Sequence, residues 1–419
     1  MKVLWITNIL FPDICYRLSV EPPVTGGWMS SSASEILKKN CGIELAVATL
    51  FGKEYRKEII DGVTYYCLPF NIYNNRYRPE LESWWKKVAN DFNPDIVHIH
   101  GTEFPHGLAY MRGVGVDNVV VSVQGLVGAY ARYSHGQIPI RDLRRCQTLY
   151  DMLYGSFLNL PQKMFKSGLI ENEYLKLAHN IIGRTDWDKD HVWAVNPGTN
   201  YFFCNETLRL PFYSTKWELV GCKQHSIFLS QAYKPIKGLH KVIEALPYII
   251  REFPDVKVYV AGNDFTRRKT LNEKLKFGTY ANYILKLMEK LGVKDRFIFT
   301  GLLDANQMAK RYKMSHVFVC PSSIENSPNS LGEAQLVGIP VVASYVGGVP
   351  NMVDHGNTGF LYRFEEHEML AQYVCAIFRN NELAVRLSQN ERICALNRHD
   401  GSANAVRTIE IYNEIFSQL

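Results

Sequence analysis

Short apolar, β-branched segments bounded by turn residues, with helical patterns between them, run through this chain twice over, and that alternation restricts the folds open to it. In the first half the segments are KVLWIT (2–7), IELAVATL (43–50), VTYYCLP (63–69), DIVHIH (95–100), NVVVSV (118–123) and HNIIGR (179–184), with helices expected over 28–40 and 80–91. Near-continuous apolar strands separated by helices belong to a parallel sheet covered on both faces. The second half repeats the scheme with HSIFLS (225–230), VKVYVAG (256–262), RFIFTG (296–301), HVFVCPS (316–322), PVVAS (340–344) and TGFLY (358–362), and with helices over 239–253 and 305–314. At 419 residues the chain is longer than one core usually supports. The expected fold class is therefore α/β, two doubly wound Rossmann-like domains facing across a cleft. Residues 1–210 form the amino-terminal domain and 211–398 the carboxy-terminal one. In 399–419, Val406, Ile409, Tyr412 and Phe416 recur at helical spacing, which predicts an amphipathic helix that needs a surface to bury against; the segment is assigned as a carboxy-terminal helix crossing back to the amino-terminal domain, a placement that the spacing itself does not show.

The net charge of +6 is modest for this length and the basic residues are scattered, so nothing points to nucleic acid. Nine cysteines, odd in number and never in a C-x-x-C pair, indicate neither a disulfide framework nor a zinc site and fit a reducing cytoplasm. The opening VLWITNIL is broken by Thr7 and Asn8 and lacks a cleavage site, and no run reaches the roughly 18–20 apolar residues that span a bilayer. A cytoplasmic protein is expected, at most peripheral on the inner face of the cytoplasmic membrane.

Doubly wound folds bind ligands at the carboxyl ends of their strands, and residues 320–344, CPSSIENSPNSLGEAQLVGIPVVAS, sit at such an end. Glu325 lies in the loop after a strand, and Ser330 is expected to begin the next helix. Glu333 has two readings: a capping-box partner of Ser330, or a ligand-binding carboxylate beside N–H groups that hold a phosphate. Glu325 and Glu333, the following GIPVVAS, GGVPNMVDHGNTGFL (347–361), KPIKGLHKVIEAL (234–246), the pair Gly26 and Gly27, and DIVHIHG together resemble the family 4 retaining glycosyltransferases, which have the two-Rossmann GT-B fold.

The resemblance spans essentially the whole chain and implies roles residue by residue. Glu333 binds the ribose of a sugar nucleotide and Glu325 contacts the transferred sugar. Backbone N–H groups near Asn329, Ser330 and Leu331 hold the diphosphate, and Lys237 neutralises the leaving group. Gly301 and Leu302 lie near the base, Gly26 and Gly27 let backbone approach the phosphates, and His100 lies near the acceptor or the sugar. His98, alternating with it, reads as a satisfied core histidine. The catalytic candidates are thus Glu325, His100 and Lys237. The implied activity is hexosyl or related transfer from a nucleoside-diphosphate sugar to a saccharide or lipid-linked saccharide, in bacterial surface polysaccharide assembly, without a metal or other cofactor. A GT-B epimerase and a non-catalytic glycosyltransferase-like subunit are the alternatives.

The chain departs from the family pattern at several positions. Gln231 and Ala232 stand where an arginine is usual, with Lys234, Arg267 or Arg268 as substitutes; Gln124 replaces a frequent histidine, ENSP replaces E-G-F-G, and Asn351 replaces an acidic residue. Two further segments stay open. Residues 130–166, basic and aromatic with Arg132, Arg141, Arg144, Arg145, Lys163 and Lys166, read as a solvated helical excursion or as a contact with an anionic membrane. Asp186 and Asp188 have the spacing of a divalent-metal site, but at a helix start with Thr185 they read as caps.

Overall fold

The computed structural model describes residues 1–23, 26–72, 76–154 and 157–419. The chain divides into two compact units, Met1–Ala129 with Met164–Arg209 and His399–Leu419, and Tyr130–Lys163 with Leu210–Arg398. Each is an α/β unit built on a parallel sheet.

The first sheet comprises β1 (Lys2–Ile6), β2 (Glu44–Leu50), β3 (Arg56–Ile60), β4 (Val63–Leu68), β5 (Ile96–His100), β6 (Val119–Ser122), β7 (Asn180–Gly183) and β8 (Asn200–Phe203). Their order is β3-β4-β2-β1-β5-β6-β7-β8, and every pairing is parallel except β3 with β4. The edge strands β3 and β8 are absent from the expected set. Both are partly exposed, so their sequences lack the continuous apolar run that marks a buried strand. The chain winds outward from β1 and resumes at β5 on its other side, which makes the β1/β5 boundary the switch point of this sheet.

The helix Gly401–Phe416 belongs to this unit, and its buried face is Ala405, Ile411, Tyr412 and Ile415, while Val406 and Phe416 stay exposed. Its rotation is set by Tyr412, whose hydroxyl accepts from Trp5 Nε1 at 2.9 Å and lies 2.6 Å from His98 Nδ1. A buried polar network fixes the helix about its axis, and the outer apolar residues follow.

The second sheet comprises β9 (Lys223–Leu229), β10 (Lys257–Val260), β11 (Phe297–Phe299), β12 (Ser315–Cys320), β13 (Val341–Ser344) and β14 (Phe360–Tyr362), ordered β11-β10-β9-β12-β13-β14 and parallel throughout. Its switch point is β9/β12. Residues 130–163 belong to this unit, which corrects the division at 210: Gly136 O accepts from His240 Nε2 at 2.8 Å, Tyr133 O from Ser323 Oγ at 3.0 Å, and Cys146 O from Asn282 Nδ2 at 2.9 Å. Such long-range backbone clips leave no periodic trace in a sequence. No helix among the described residues is long and apolar enough to cross a membrane.

The helix Asn381–Arg398 buries Glu391 completely, and neither carboxylate oxygen has a hydrogen-bond partner among the described residues. Burial, with a smaller contribution from Cys394, holds its pKa well above the ordinary value. The folded state therefore keeps a proton that the unfolded chain releases above its own pKa of about 4.3, and stability falls as pH rises from there toward the folded pKa. Glu391→Met is expected to raise stability at pH 7.5 by roughly 1–3 kcal/mol, the penalty of an unsatisfied buried polar group, and to flatten the decline between pH 5 and 8. Denaturation at several pH values measures both, and an unchanged slope would refute the assignment.

Candidate active site

Two sequence motifs meet at the β9/β12 switch point of the second unit. After β9 the chain makes a single 3-10 turn, Pro235–Lys237, and Gly238 then opens the helix Leu239–Glu252 in the left-handed region, φ 69°. After β12 it runs through Pro321, Ser322 and Ser323 to Glu325. The loops are pressed together: Ser323 N donates to Ile236 O at 2.8 Å, and a Cβ on Gly238 would lie 1.6 Å from Pro321 O. Only glycine fits there, on steric grounds as well as conformational ones.

This apposition places Lys237 Nζ 2.5 Å from Glu325 Oε1, which also accepts from Ser322 Oγ at 2.7 Å. Burial opposes the ammonium charge, but the Glu325 carboxylate and its hydrogen bond outweigh it and raise the Lys237 pKa above its ordinary value. Nearby, burial first and Glu325 second push the Cys320 thiol up to about 12, so it stays protonated. The backbone of Glu325 is held from behind, where Gly348 N donates to its carbonyl at 3.0 Å. Gly347, φ 50°, leaves no room for a Cβ, which would fall 1.9 Å from that same oxygen. Ser322, Ser323 and Gly347 were not singled out in the sequence, although all three lie within the quoted motifs.

The next helix is Asn329–Val337, starting one residue earlier than expected, with Pro328 as N-cap and no side-chain cap. The capping-box reading of Glu333 is thereby corrected: Glu333 is the fifth helical residue, a full turn inside, and buried. The carbonyl of Pro328 accepts from Leu331 N at 2.9 Å and from Gly332 N at 3.2 Å. Of the three N–H groups expected at a phosphate, that of Leu331 is thus already engaged, whereas those of Asn329 and Ser330 occupy the first two helical positions, which have no acceptor within a helix. Gly301 and Leu302 follow β11, two strands from β9. Gly301 pairs with Gly262 across an isolated antiparallel bridge, and Leu302 is exposed.

The suggested substitutes for the missing arginine make local contacts. Lys234 lies over the Tyr233 ring, Arg267 pairs with Glu273 at 2.9 Å, and Arg268 donates to Asn282 at 2.8 Å.

In the first unit, His100 ends β5 at the β1/β5 switch point. Its ring stacks on His98 with centroids 3.8 Å apart and lies 4.4 Å from Trp5 and 5.7 Å from Trp28. His98 is satisfied, with Tyr412 at Nδ1 and Ser122 Oγ 2.6 Å from Nε2. His100 is not: both ring nitrogens are buried without a partner among the described residues. Burial, then His98 and Arg184, drives its pKa well below the ordinary value, so it is neutral. It borders a cavity of ≈ 40 Å³ with Trp28, Gln124, Arg184 and Glu206, large enough for water. Arg184 pairs with Glu206 in the buried wall and donates to Val123 O at 2.7 Å.

Gly26 is the left-handed N-cap, φ 77°, of the helix Gly27–Lys38. A Cβ there would lie 2.4 Å from Ile9, and one on Gly27 would lie 2.9 Å from Arg209. Residues 24 and 25 of this loop lie outside those described. Thr185 caps the helix Asp186–Val195 by accepting from Asp188 N, while Asp188 accepts from Arg184 N at 3.0 Å and from Tyr201 OH.

Residues 219–393 match the family model described as Glycosyl transferases group 1. The chain is 29% identical over 396 residues to spore coat protein SA of Bacillus subtilis, covering 91% of this chain and 92% of that one. Among solved structures, sucrose-phosphate synthase of Thermosynechococcus elongatus superposes with a TM-score of 0.70 at 15% identity over the whole of both chains. HepE of Anabaena, in complex with UDP and glucose, does so with 0.64 at 16% identity, over 99% of this chain and 100% of that one. The fold class is the expected GT-B architecture.

Proposed function

We propose, from the match of residues 219–393 to the model Glycosyl transferases group 1, that the chain transfers a sugar from a nucleoside-diphosphate sugar to a saccharide or lipid-linked saccharide, with retention, in bacterial surface polysaccharide assembly. The observation that carries the reading is the Lys237–Glu325 pair, held at a switch point beside the open start of the helix Asn329–Val337. The UDP and glucose bound by HepE support a sugar-nucleotide donor.

The first N–H groups of that helix and the ammonium of Lys237 receive the diphosphate, and Glu333 accepts from the ribose hydroxyls. As a phosphate takes over Lys237, Glu325 Oε1 becomes available to a hydroxyl of the transferred sugar. The donor phosphate receives the proton of the incoming acceptor hydroxyl on the same face, and the charge on the leaving diphosphate is stabilised by groups already in place. Gly26 and Gly27 approach the phosphates, Gly301 and Leu302 serve the base, and His100, a neutral imidazole whose nitrogens have no partner among the described residues, serves the acceptor or the sugar. The enzyme works in the cytoplasm, at most peripheral on the inner face of the cytoplasmic membrane.

The test is release of nucleoside diphosphate from a panel of sugar nucleotides, UDP sugars first, with and without saccharide acceptors. Release that depends on acceptor is expected. Isomerised sugar nucleotide without release would indicate an epimerase, and tight binding without turnover a non-catalytic subunit. Glu333→Ala is expected to weaken donor affinity by roughly 1.5–3 kcal/mol, the value of a hydrogen bond to a charged group, as read by titration calorimetry.

Because Lys237 and a helix start supply the positive charge, transfer is expected to survive exhaustive EDTA treatment. Asp186→Asn with Asp188→Asn is expected to lower thermal stability, since Asp188 ties the helix start to Arg184 and Tyr201. Activity lost to EDTA and restored by Mn2+ would refute the metal-free mechanism.

A further inference from the structure

Within the second unit, the segment Tyr130–Lys163 carries two short helices, Ile140–Arg145 and Leu149–Tyr154. The latter buries none of its residues: Leu149, Met152, Leu153 and Tyr154 are 76%, 63%, 78% and 77% exposed. Four large apolar side chains on one six-residue helix form a patch, not the scattered exposure usual on a protein surface. Beside it, the helix Ile140–Arg145 exposes Arg141, Arg144 and Arg145.

The two carboxylates of these helices are both engaged. Asp142 lies 3.8 Å from Arg141 and 3.6 Å from Arg145, and Asp151 accepts from the backbone N–H of Thr279 at the start of the helix Thr279–Leu291. That contact, with Asn282 Nδ2 donating to Cys146 O at 2.9 Å and Lys286 Nζ to Arg145 O at 3.3 Å, fixes the segment to the unit and leaves its apolar and cationic side chains outward.

We propose that the outward face of these two helices docks on an anionic lipid surface, Leu149, Met152, Leu153 and Tyr154 entering the headgroup region while the arginines meet lipid phosphates. Apolar groups beside guanidinium groups match that boundary, the arginines complementing lipid phosphate charge. The inference rests on the lipid-linked acceptor reading for its purpose; residues 155 and 156, adjacent in sequence, are outside the described set and the face does not include them.

Flotation of the full chain with vesicles of phosphatidylcholine alone, or containing phosphatidylglycerol, measures docking without turnover. At least about tenfold stronger binding to the anionic vesicles is expected, from roughly one factor of five per basic residue near the surface. Met152→Asp with Leu153→Asp, and separately Arg144→Glu with Arg145→Glu, should each lower it by about tenfold. Nucleoside-diphosphate affinity, measured on the same variants, should not change, so failure of docking is distinguishable from failure of the donor reading. Equal binding to both vesicles would overturn the proposal. So would binding to heparin that matches the anionic vesicles and ignores the apolar pair, or self-association lost with Met152 and Leu153 in a chain that binds no vesicle.

Discussion

Lys237→Met is expected to lower the transfer rate by about 10² to 10³-fold, the usual loss when one preorganised group that stabilises developing negative charge is removed. It should also cost stability, because it strands Glu325, whose side chain is only 9% exposed, without its cation. About 2–3 kcal/mol is expected, below the range for a fully buried pair because a quarter of the Lys237 side chain meets solvent. Replacing both partners, Lys237→Met with Glu325→Gln, removes the stranded charge; it should recover most of the stability and none of the turnover. Chemical denaturation and nucleoside-diphosphate release, on the two single variants and the double, separate the effects. A double variant that still transfers sugar would show that the pair only holds the loops together.

Gly238→Ala should be comparably severe through backbone alone. The residue sits at φ 69°, which costs a non-glycine residue about 1 kcal/mol, and its Cβ would overlap the carbonyl oxygen of Pro321. Neither atom is the end of a flexible side chain, so the Pro235–Lys237 turn must part from the loop after β12 and carry the ammonium away from Glu325. A loss of at least about 3 kcal/mol is expected, with turnover reduced further than the folded fraction accounts for. Gly292→Ala is a suitable control: its φ is 65°, but nothing lies within 4 Å of its Cβ. If the two variants lose stability equally, the close approach at Pro321 is not what matters at Gly238.

The same switch-point geometry explains why a pair of carboxylates flanks a helix start. Glu325 is a loop residue held by the Gly347 and Gly348 backbone on one side and by Ser322 and Lys237 on the other. Glu333 is a helix residue facing inward. Their roles differ because their elements differ, and spacing alone does not show that Glu333 lies too deep in its helix to cap it.

The sequence by itself determined the two parallel sheets, because strands buried on both faces must be continuously apolar and the helices between them must be amphipathic. It also determined the strand ends that place Lys237, Glu325 and His100, the first two in loops that follow such strands and His100 as the last residue of one. Tertiary structure alone decided what those residues touch. The Lys237–Glu325 contact joins positions 88 residues apart, and it depends on a glycine pressed against a distant carbonyl. The rotation of the last helix depends on one tyrosine hydroxyl between Trp5 and His98, and the allegiance of residues 130–163 on backbone clips to Ser323, His240 and Asn282. Local propensity reports what a segment prefers when alone, whereas these outcomes rest on hydrogen bonds and close approaches between segments, which exist only once the chain has folded.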